Sequence, residues 1–571
     1  MKIQTFPSVM ADLPVDLAHP NRVLISGLFR ETAVVNGERR EFLTFIPEDL
    51  EYDSQCLIVA LPSGVVPETY FEEVGLKEFA QKHQLFLHLA SAPNGWSLAD
   101  GDYINAVYIG IQARDYYITM QDNIYACGIG DGSVAVQAAA VKMASDWSGI
   151  ITLGDLTADI LTLGEDSHGE MDQGNLELKV QGSKAQLPVW MQVSSNTPEN
   201  SAAVAYWKEQ NKVVGEPLKG QGSDFIWMPT PVRMHSEINE EYIAQVRLTV
   251  KDEDFSVDTL EQAWAYIGAA RRHRGQGIKR LRYFKSPEAC GAVKKTAEIN
   301  GMVRTWYEYV PAGCTPDKKW PLVVCMHGRG GTAETFFDIS CLHVVAEARN
   351  FIAVFPEAGL HQQKKGGLRN VLLWCGELNG KPIDDVAFIR SMVADMETRL
   401  PIDHSRIYAC GQSSGGMMSD LLSYTAGDLF AAVAPWSALR SPSRMFTDFP
   451  KSSEITPTMW IWGDKDFLNA GHGTDEVLPF ALDPEMRGIL VEKLEHMGLD
   501  IANYELWSTD PIDWCAFPDK NGVPLMVIGK VNDMVHANYP EESWISYDQF
   551  LSQFRKEADG TLYYRGRKVE R

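Results

Sequence analysis

The 571 residues are 45% hydrophobic and 22% charged, enough to bury the cores of at least two domains. A net charge of −24 opposes nonspecific attraction to nucleic acid or to an anionic membrane, so neither is expected as a partner. The N-terminal stretch MKIQTFPSVMADLPVDLAHP has one early lysine and no continuous apolar run, and no segment reaches the roughly 18 apolar residues of a membrane span. A cytoplasmic location is therefore expected. Nine cysteines, an odd number with no CxxC pair, argue against a disulfide framework. Cys325 and Cys410 sit inside apolar runs and read as small buried hydrophobes.

Along the chain, short runs rich in Val, Ile, Leu and Ala alternate with segments of helical period, which predicts an α/β fold with a mainly parallel sheet flanked by helices. The first half opens this pattern with LIVALPSG from Leu57, ETYF from Glu68 and FAQKHQLFLHLASAP from Phe79. It continues with NIYACGIGDG from Asn123, PVWMQVSSN from Pro188 and EQAWAYIGAARRHRG from Glu261. The second half repeats these pieces in the same order: LVVCMHGRGG from Leu322, ETFF from Glu334, VAEARNFIAVFPEAG from Val345, RIYACGQSSG from Arg406, PTMWIWGDKD from Pro457 and EESWISYDQFLSQFRKE from Glu541. Two tandem α/β domains, residues 1–286 and 287–571, are expected, with no low-complexity linker between them and the first packed on the second.

The second half contains what nucleophilic catalysis by a hydroxyl requires: a nucleophile, a base, a group to orient the base, and donors for an oxyanion. The strand ending at Cys410 runs into Gly411-Gln412-Ser413-Ser414-Gly415, a GxSxG turn between strand and helix, which makes Ser413 the candidate nucleophile. Upstream, LVVCM ends in His327-Gly328-Arg329-Gly330-Gly331, so the backbone amides of Arg329 and Ser414 are the candidate oxyanion donors. After Ser413 the order should be acid, then histidine. Asp466, in the turn Gly463-Asp464-Lys465-Asp466, is preferred as the acid, with Asp464 its competitor. His536, on the loop after PLMVIGK, is the candidate base, while His472 and His496 read as solvated. His327 reads as a structural loop residue and not as the base; with Trp374 and Trp436 it is a candidate for substrate contact. Trp507 and Trp514 lie where an aromatic acyl group could be held, with core the alternative for at least half of these four tryptophans, whereas Trp96, Trp190, Trp207 and Trp227 read as core or interface.

HGRGG, the IDDVAFI segment from Ile383, PIDHSRIYACGQSSGGMMS, the GDKD turn and VHANYP together resemble the polyhydroxybutyrate-depolymerase-like esterases, a branch with feruloyl and acetyl-xylan esterases. The resemblance covers roughly residues 295 to 555. It implies that the two domains are tandem α/β-hydrolase folds and that the second hydrolyses a small-molecule carboxylic ester, with no cofactor, by Ser413, Asp466 and His536. One departure is Arg329, where many relatives have cysteine or a small residue; a cation there would favour an acidic or phenolic acyl group.

In the first half GIGDG puts Gly130 at the nucleophile position, Pro62-Ser63 replaces the HG pair, and the acid position falls near Asn196 or Thr197, so that domain is expected to be inactive. Its GxGxG at Gly128 lacks the GxGxxG spacing of a dinucleotide turn. No GxxxxGKS/T or HExxH motif occurs, and neither a nucleotide nor a metal is expected. Two other readings are a serine peptidase of the prolyl-oligopeptidase kind, which would normally carry a β-propeller, and a non-catalytic binding protein. The sequence leaves a homo-oligomer open.

Overall fold

The protein is described from a computed structural model that covers residues 1–6, 19, 22–52, 54–111, 119, 123–163, 170–173, 178–181, 185–220, 222–229, 232–235, 238–272, 281–362, 371–440, 451–469, 480, 482, 484–539 and 541–570. His472 lies outside the described residues.

Ten strands of the first half form one sheet: β1 (Gly27–Val35), β2 (Glu38–Ile46), β3 (Cys56–Ala60), β4 (Phe86–Ala90), β5 (Ile124–Ile129), β6 (Gly149–Leu153), β7 (Val189–Val193), β8 (Leu218–Gly220), β9 (Ser223–Trp227) and β10 (Val246–Val250). Their spatial order is β1-β2-β4-β3-β5-β6-β7-β10-β9-β8, with the two-residue strand Ile3–Gln4 added beside β1. The second half supplies β11 (Val293–Ile299), β12 (Met302–Tyr309), β13 (Trp320–Met326), β14 (Ile352–Pro356), β15 (Ile402–Gln412), β16 (Ala432–Trp436), β17 (Thr458–Gly463), β18 (Glu505–Thr509), β19 (Ile512–Pro518) and β20 (Pro524–Val531). These run β11-β12-β14-β13-β15-β16-β17-β20-β19-β18, the same order strand for strand.

Strand direction matches as well. The middle of each sheet is parallel, from β4 through β3, β5, β6 and β7 to β10, and from β14 through β13, β15, β16 and β17 to β20. Antiparallel strands flank it on both sides. The register agrees too: Ala60 sits opposite Gly128, as Met326 sits opposite Gly411.

Parallel strands covered on both faces must be apolar throughout, which is why β3 and β13 read as unbroken hydrophobic runs and are almost wholly buried. Separate apolar clusters fill the two faces of each sheet, Ile58 and Trp147 against Leu57 and Trp264 in the first, Phe337 and Trp436 against Val324 and Met392 in the second. Helix α1 (Gly132–Lys142) follows β5, and α2 (Ala333–Ser340), α3 (Asp385–Arg399), α4 (Ser414–Thr425) and α5 (Pro484–Met497) belong to the second half. Arg282 of the first half forms a buried ion pair with Asp338 on α2, and Asp338 also accepts the Lys285 N–H at 3.0 Å. No helix among the described residues is long and apolar enough to cross a membrane.

Candidate active site

The turn after β15 is set by crowding. A Cβ on Gly411 would lie 2.5 Å from the carbonyl oxygen of Met326, and one on Gly415 would lie 2.1 Å from that same oxygen, so only glycine lets the turn lie against β13. Between them Ser413 takes φ 57° and ψ −117°, a backbone conformation that non-glycine residues seldom hold. It is pinned there by its N–H, which donates to the Trp436 carbonyl at 2.9 Å, and by its carbonyl, which accepts from the Met417 N–H at 2.8 Å. The result is a hydroxyl raised above the carboxyl end of the parallel strands.

His536, on the loop after β20, lies with Nε2 2.8 Å from Ser413 Oγ. Its Nδ1 is 2.9 Å from Asp466 Oδ2. An ionised carboxylate can only accept, so Nδ1 carries the proton and Nε2 is left to accept from the serine hydroxyl. Asp466 has 0% of its side chain exposed, and its other oxygen accepts the Leu468 N–H at 2.9 Å, which fixes the carboxylate plane. Asp464 instead accepts the Met534 N–H at 3.3 Å and lies 3.5 Å from Lys465 Nζ, so it braces the histidine loop from outside.

Arg329 follows Gly328 at the end of β13 with its side chain exposed, and Ser414 is the first residue of α4, where opening amides have no partner within the helix. Gln412, between Gly411 and Ser413, has its amide 3.5 Å from His536 Nε2, and a Cβ on Gly328 would lie 2.5 Å from Gln412 Oε1. The arrangement can deprotonate a hydroxyl as it attacks and hold the developing proton on a partly exposed imidazole backed by a buried carboxylate.

The expected substrate contacts differ. His327 is 1% exposed, Trp374 1% and Trp436 0%, so none has surface to offer a substrate. His327 is a strut: Nε2 accepts the Ala358 N–H at 3.0 Å and Nδ1 donates to the Gly328 carbonyl at 2.7 Å. Burial holds its pKa down at about 4, against 6.5 ordinarily, so the ring stays neutral. Trp374 donates Nε1–H to the His327 carbonyl at 2.8 Å, and Trp436 donates to Ser546 Oγ at 2.9 Å. Trp514 is 2% exposed, Trp507 stacks on it, and His496 packs on Tyr424 from α5. Trp96, Trp190, Trp207 and Trp227 are buried in the first half.

Two residues of the second half were not singled out in the sequence. Phe467 follows Asp466, is 54% exposed, and stands edge-on to His536 with ring centroids 5.2 Å apart. Its position next to the acid was the available signal. Asp385, within IDDVAFI, is fully buried against Arg304, and only its place in a recurring motif hinted at it.

In the first half Gly130 stands after β5 as Ser413 stands after β15, with φ 57° and its N–H donating to the Leu153 carbonyl at 2.9 Å. Asp131 accepts the Ser63 N–H at 2.9 Å; β7, which matches the strand before Asp466, leads into Ser194 and Ser195 and not an acid, and β10, which matches the strand before His536, leads into Lys251 and Asp252 and not a histidine.

Residues 305–441 match the family described as Esterase PHB depolymerase, a span that includes Arg329 and Ser413 and stops before Asp466 and His536. A poly(3-hydroxyalkanoate) depolymerase C of Paucimonas lemoignei is 24% identical over 249 residues, 40% of this chain and 58% of that protein. A feruloyl esterase B of Thermothelomyces thermophilus is 32% identical over 133 residues, 23% of this chain and 43% of that protein. The chain thus spans about half the length of these relatives. Among solved structures, an acetyl xylan esterase from Aspergillus awamori aligns at 15% identity with a TM-score of 0.33, over 46% of this chain and 99% of its own.

Proposed function

We propose that the second half is a serine carboxylic-ester hydrolase. The observation that carries this reading is the continuous line from Ser413 Oγ to His536 Nε2, 2.8 Å, and from His536 Nδ1 to Asp466 Oδ2, 2.9 Å. Ser413 Oγ attacks the ester carbonyl while its proton passes to His536 Nε2, and the carbonyl electrons collect on an oxyanion bound by the amides of Arg329 and Ser414. Collapse of this intermediate breaks the bond to the alcohol, which leaves with the proton from His536. Water then attacks the acyl-serine, His536 again taking and returning the proton, and the acid is released. Asp466 holds the imidazole in the required tautomer and stabilises its cation.

The substrate in this reading is a small ester with a phenolic or short acyl group. The relatives named for feruloyl and acetylxylan esters support that choice, as does the exposed ring of Phe467 beside His536. The same reading makes residues 1–286 a duplicated, inactive hydrolase domain and 287–571 the catalytic one. Identical strand order, with glycine where Ser413 stands in the other sheet, supports the duplication, and the buried Arg282–Asp338 pair supports packing of one domain on the other. Hydrolysis of nitrophenyl acetate, nitrophenyl butyrate, methyl ferulate and acetylated xylo-oligosaccharides by the wild type and by Ser413→Ala tests it. Loss of all turnover in the variant is expected, and an active Ser413→Ala would contradict it.

A further inference from the structure

An oxyanion hole works only if its donors are held where the charge develops, so whatever fixes the loop after β13 bears on the rate. That loop has no regular structure of its own. Its geometry comes from two neighbouring segments, 357–359 and 372–375. The first gives the Ala358 N–H to His327 Nε2 at 3.0 Å. The second gives Trp374 Nε1–H to the His327 carbonyl at 2.8 Å and takes the Gly330 N–H on the Leu372 carbonyl at 2.9 Å. The segments are tied to each other by the Leu373 N–H, which donates to the Gly359 carbonyl at 3.1 Å.

Both segments meet one buried ion pair. Arg304, 3% exposed on β12, donates through Nη2 to the Glu357 carbonyl at 3.0 Å and to Asp385 Oδ1 at 2.6 Å. Asp385, 0% exposed at the start of α3, takes the Cys375 N–H on Oδ2 at 2.6 Å. The guanidinium carbon lies over the Phe388 ring, 3.8 Å from its centre, so it has little freedom to swing away. A charged pair this deep is no economical source of stability, since an apolar pair of similar volume would serve the core as well or better. What the charges provide is direction: a fork-shaped donor and a two-oxygen acceptor, each bonded to the backbone of one of the two segments that hold the loop.

We propose that Arg304 and Asp385 are positioning residues for the oxyanion pocket, acting through His327 and Trp374 to hold the Gly328-Arg329 backbone in its donating orientation. This rests on the esterase reading. Arg304 and Asp385 are 3% and 0% exposed and bond to backbone of the supporting segments, so disturbing the pair should spare substrate binding and affect the charged intermediate.

The test is steady-state hydrolysis of nitrophenyl acetate by the wild type, Asp385→Asn, Arg304→Lys and Trp374→Phe, each checked for cooperative thermal unfolding, together with inhibition by an aryl trifluoromethyl ketone, whose hemiketal mimics the oxyanion. Expected is a fall in kcat of roughly 10- to 100-fold for Asp385→Asn, part or all of the worth of one oxyanion donor, with KM within about twofold. Inhibitor binding should weaken by the same factor, and Arg304→Lys should fall between the wild type and Asp385→Asn. Trp374→Phe removes the bond to the His327 carbonyl, with some loss of core packing, leaves Arg304 and Asp385 in place, and carries the same test should Asp385→Asn not fold; a loss of kcat at constant KM is expected there too. A folded Asp385→Asn or Trp374→Phe with wild-type kcat, or a loss confined to KM, would overturn the proposal and leave the esterase reading standing. A wild type that hydrolyses no ester and reacts with no fluorophosphonate would overturn both.

Discussion

Gly130 and Ser413 occupy equivalent elbows in the two sheets with the same φ of 57°, and in both the N–H donates across to the neighbouring strand at 2.9 Å. Serine holds that conformation at a cost of about 1–3 kcal/mol, whereas glycine holds it freely. On the proposed reading of the first half as an inactive hydrolase domain, glycine at this elbow is free of that strain.

Restoring the hydroxyl alone should achieve nothing. A Cβ at Gly130 would meet only Pro62, at 3.5 Å, so Gly130→Ser fits sterically and should destabilise by about 1–3 kcal/mol through its backbone. Placed on a Ser413→Ala background it should give no ester hydrolysis, because the segment directly after β10, KDEDFSV, holds no histidine. Thermal unfolding and a nitrophenyl acetate assay check both parts, and measurable turnover would contradict the assignment of the first half as inactive.

Much of this was legible in the sequence because parallel strands and sharp turns leave strong local marks. The unbroken apolar run at β13, the GxSxG turn and the repeated order of segments marked the sheet and its elbow. The substrate side was harder to read. Tryptophan signals only a large apolar body with one donor, and Trp374 and Trp436 satisfied both needs in the interior, on the His327 carbonyl and on Ser546. Which aspartate of Gly463-Asp464-Lys465-Asp466 meets the histidine depends on turn geometry that spacing does not encode. Arg304 and Asp385, 81 residues apart, are brought together only by the packing of β12 against α3.

Those two aspartates should separate cleanly in kinetics. Asp466→Asn should lower kcat roughly 10³- to 10⁴-fold, because an amide opposite Nδ1 no longer enforces the required tautomer. Asp464→Asn weakens one backbone contact at 3.3 Å and should lower kcat no more than about 5-fold. The reverse ranking would show that the histidine takes its partner from Asp464.

His327 gives the fold an acid-sensitive point. Its folded pKa of about 4 lies below the ordinary 6.5, so between those values the unfolded chain binds a proton that the folded protein refuses. Stability is then whole above pH 6.5 and declines as pH falls towards 4, by up to about 3 kcal/mol from this residue. His327→Gln keeps an acceptor for the Ala358 N–H and has no such proton to gain. Chemical denaturation at pH 7 and pH 4.5 should show a smaller difference for the variant than for the wild type, and an equal difference would place the sensitivity elsewhere.

Phe467 should govern acyl preference. Its exposed ring beside His536 offers an aromatic acyl group a contact that an acetyl group is too small to reach. Phe467→Ala should lose roughly 5- to 10-fold in kcat/KM on methyl ferulate and change little on nitrophenyl acetate. An equal loss on both would assign the ring to support of the imidazole.

Covalent labelling shows whether Ser413 is a nucleophile activated by His536. Intact-mass and peptide-mapping spectrometry after exposure to a fluorophosphonate should find a single adduct on Ser413, absent in Ser413→Ala and slowed by roughly 10³-fold or more in His536→Ala. A wild type that stays unlabelled, or that carries its adduct on another residue, would contradict the account.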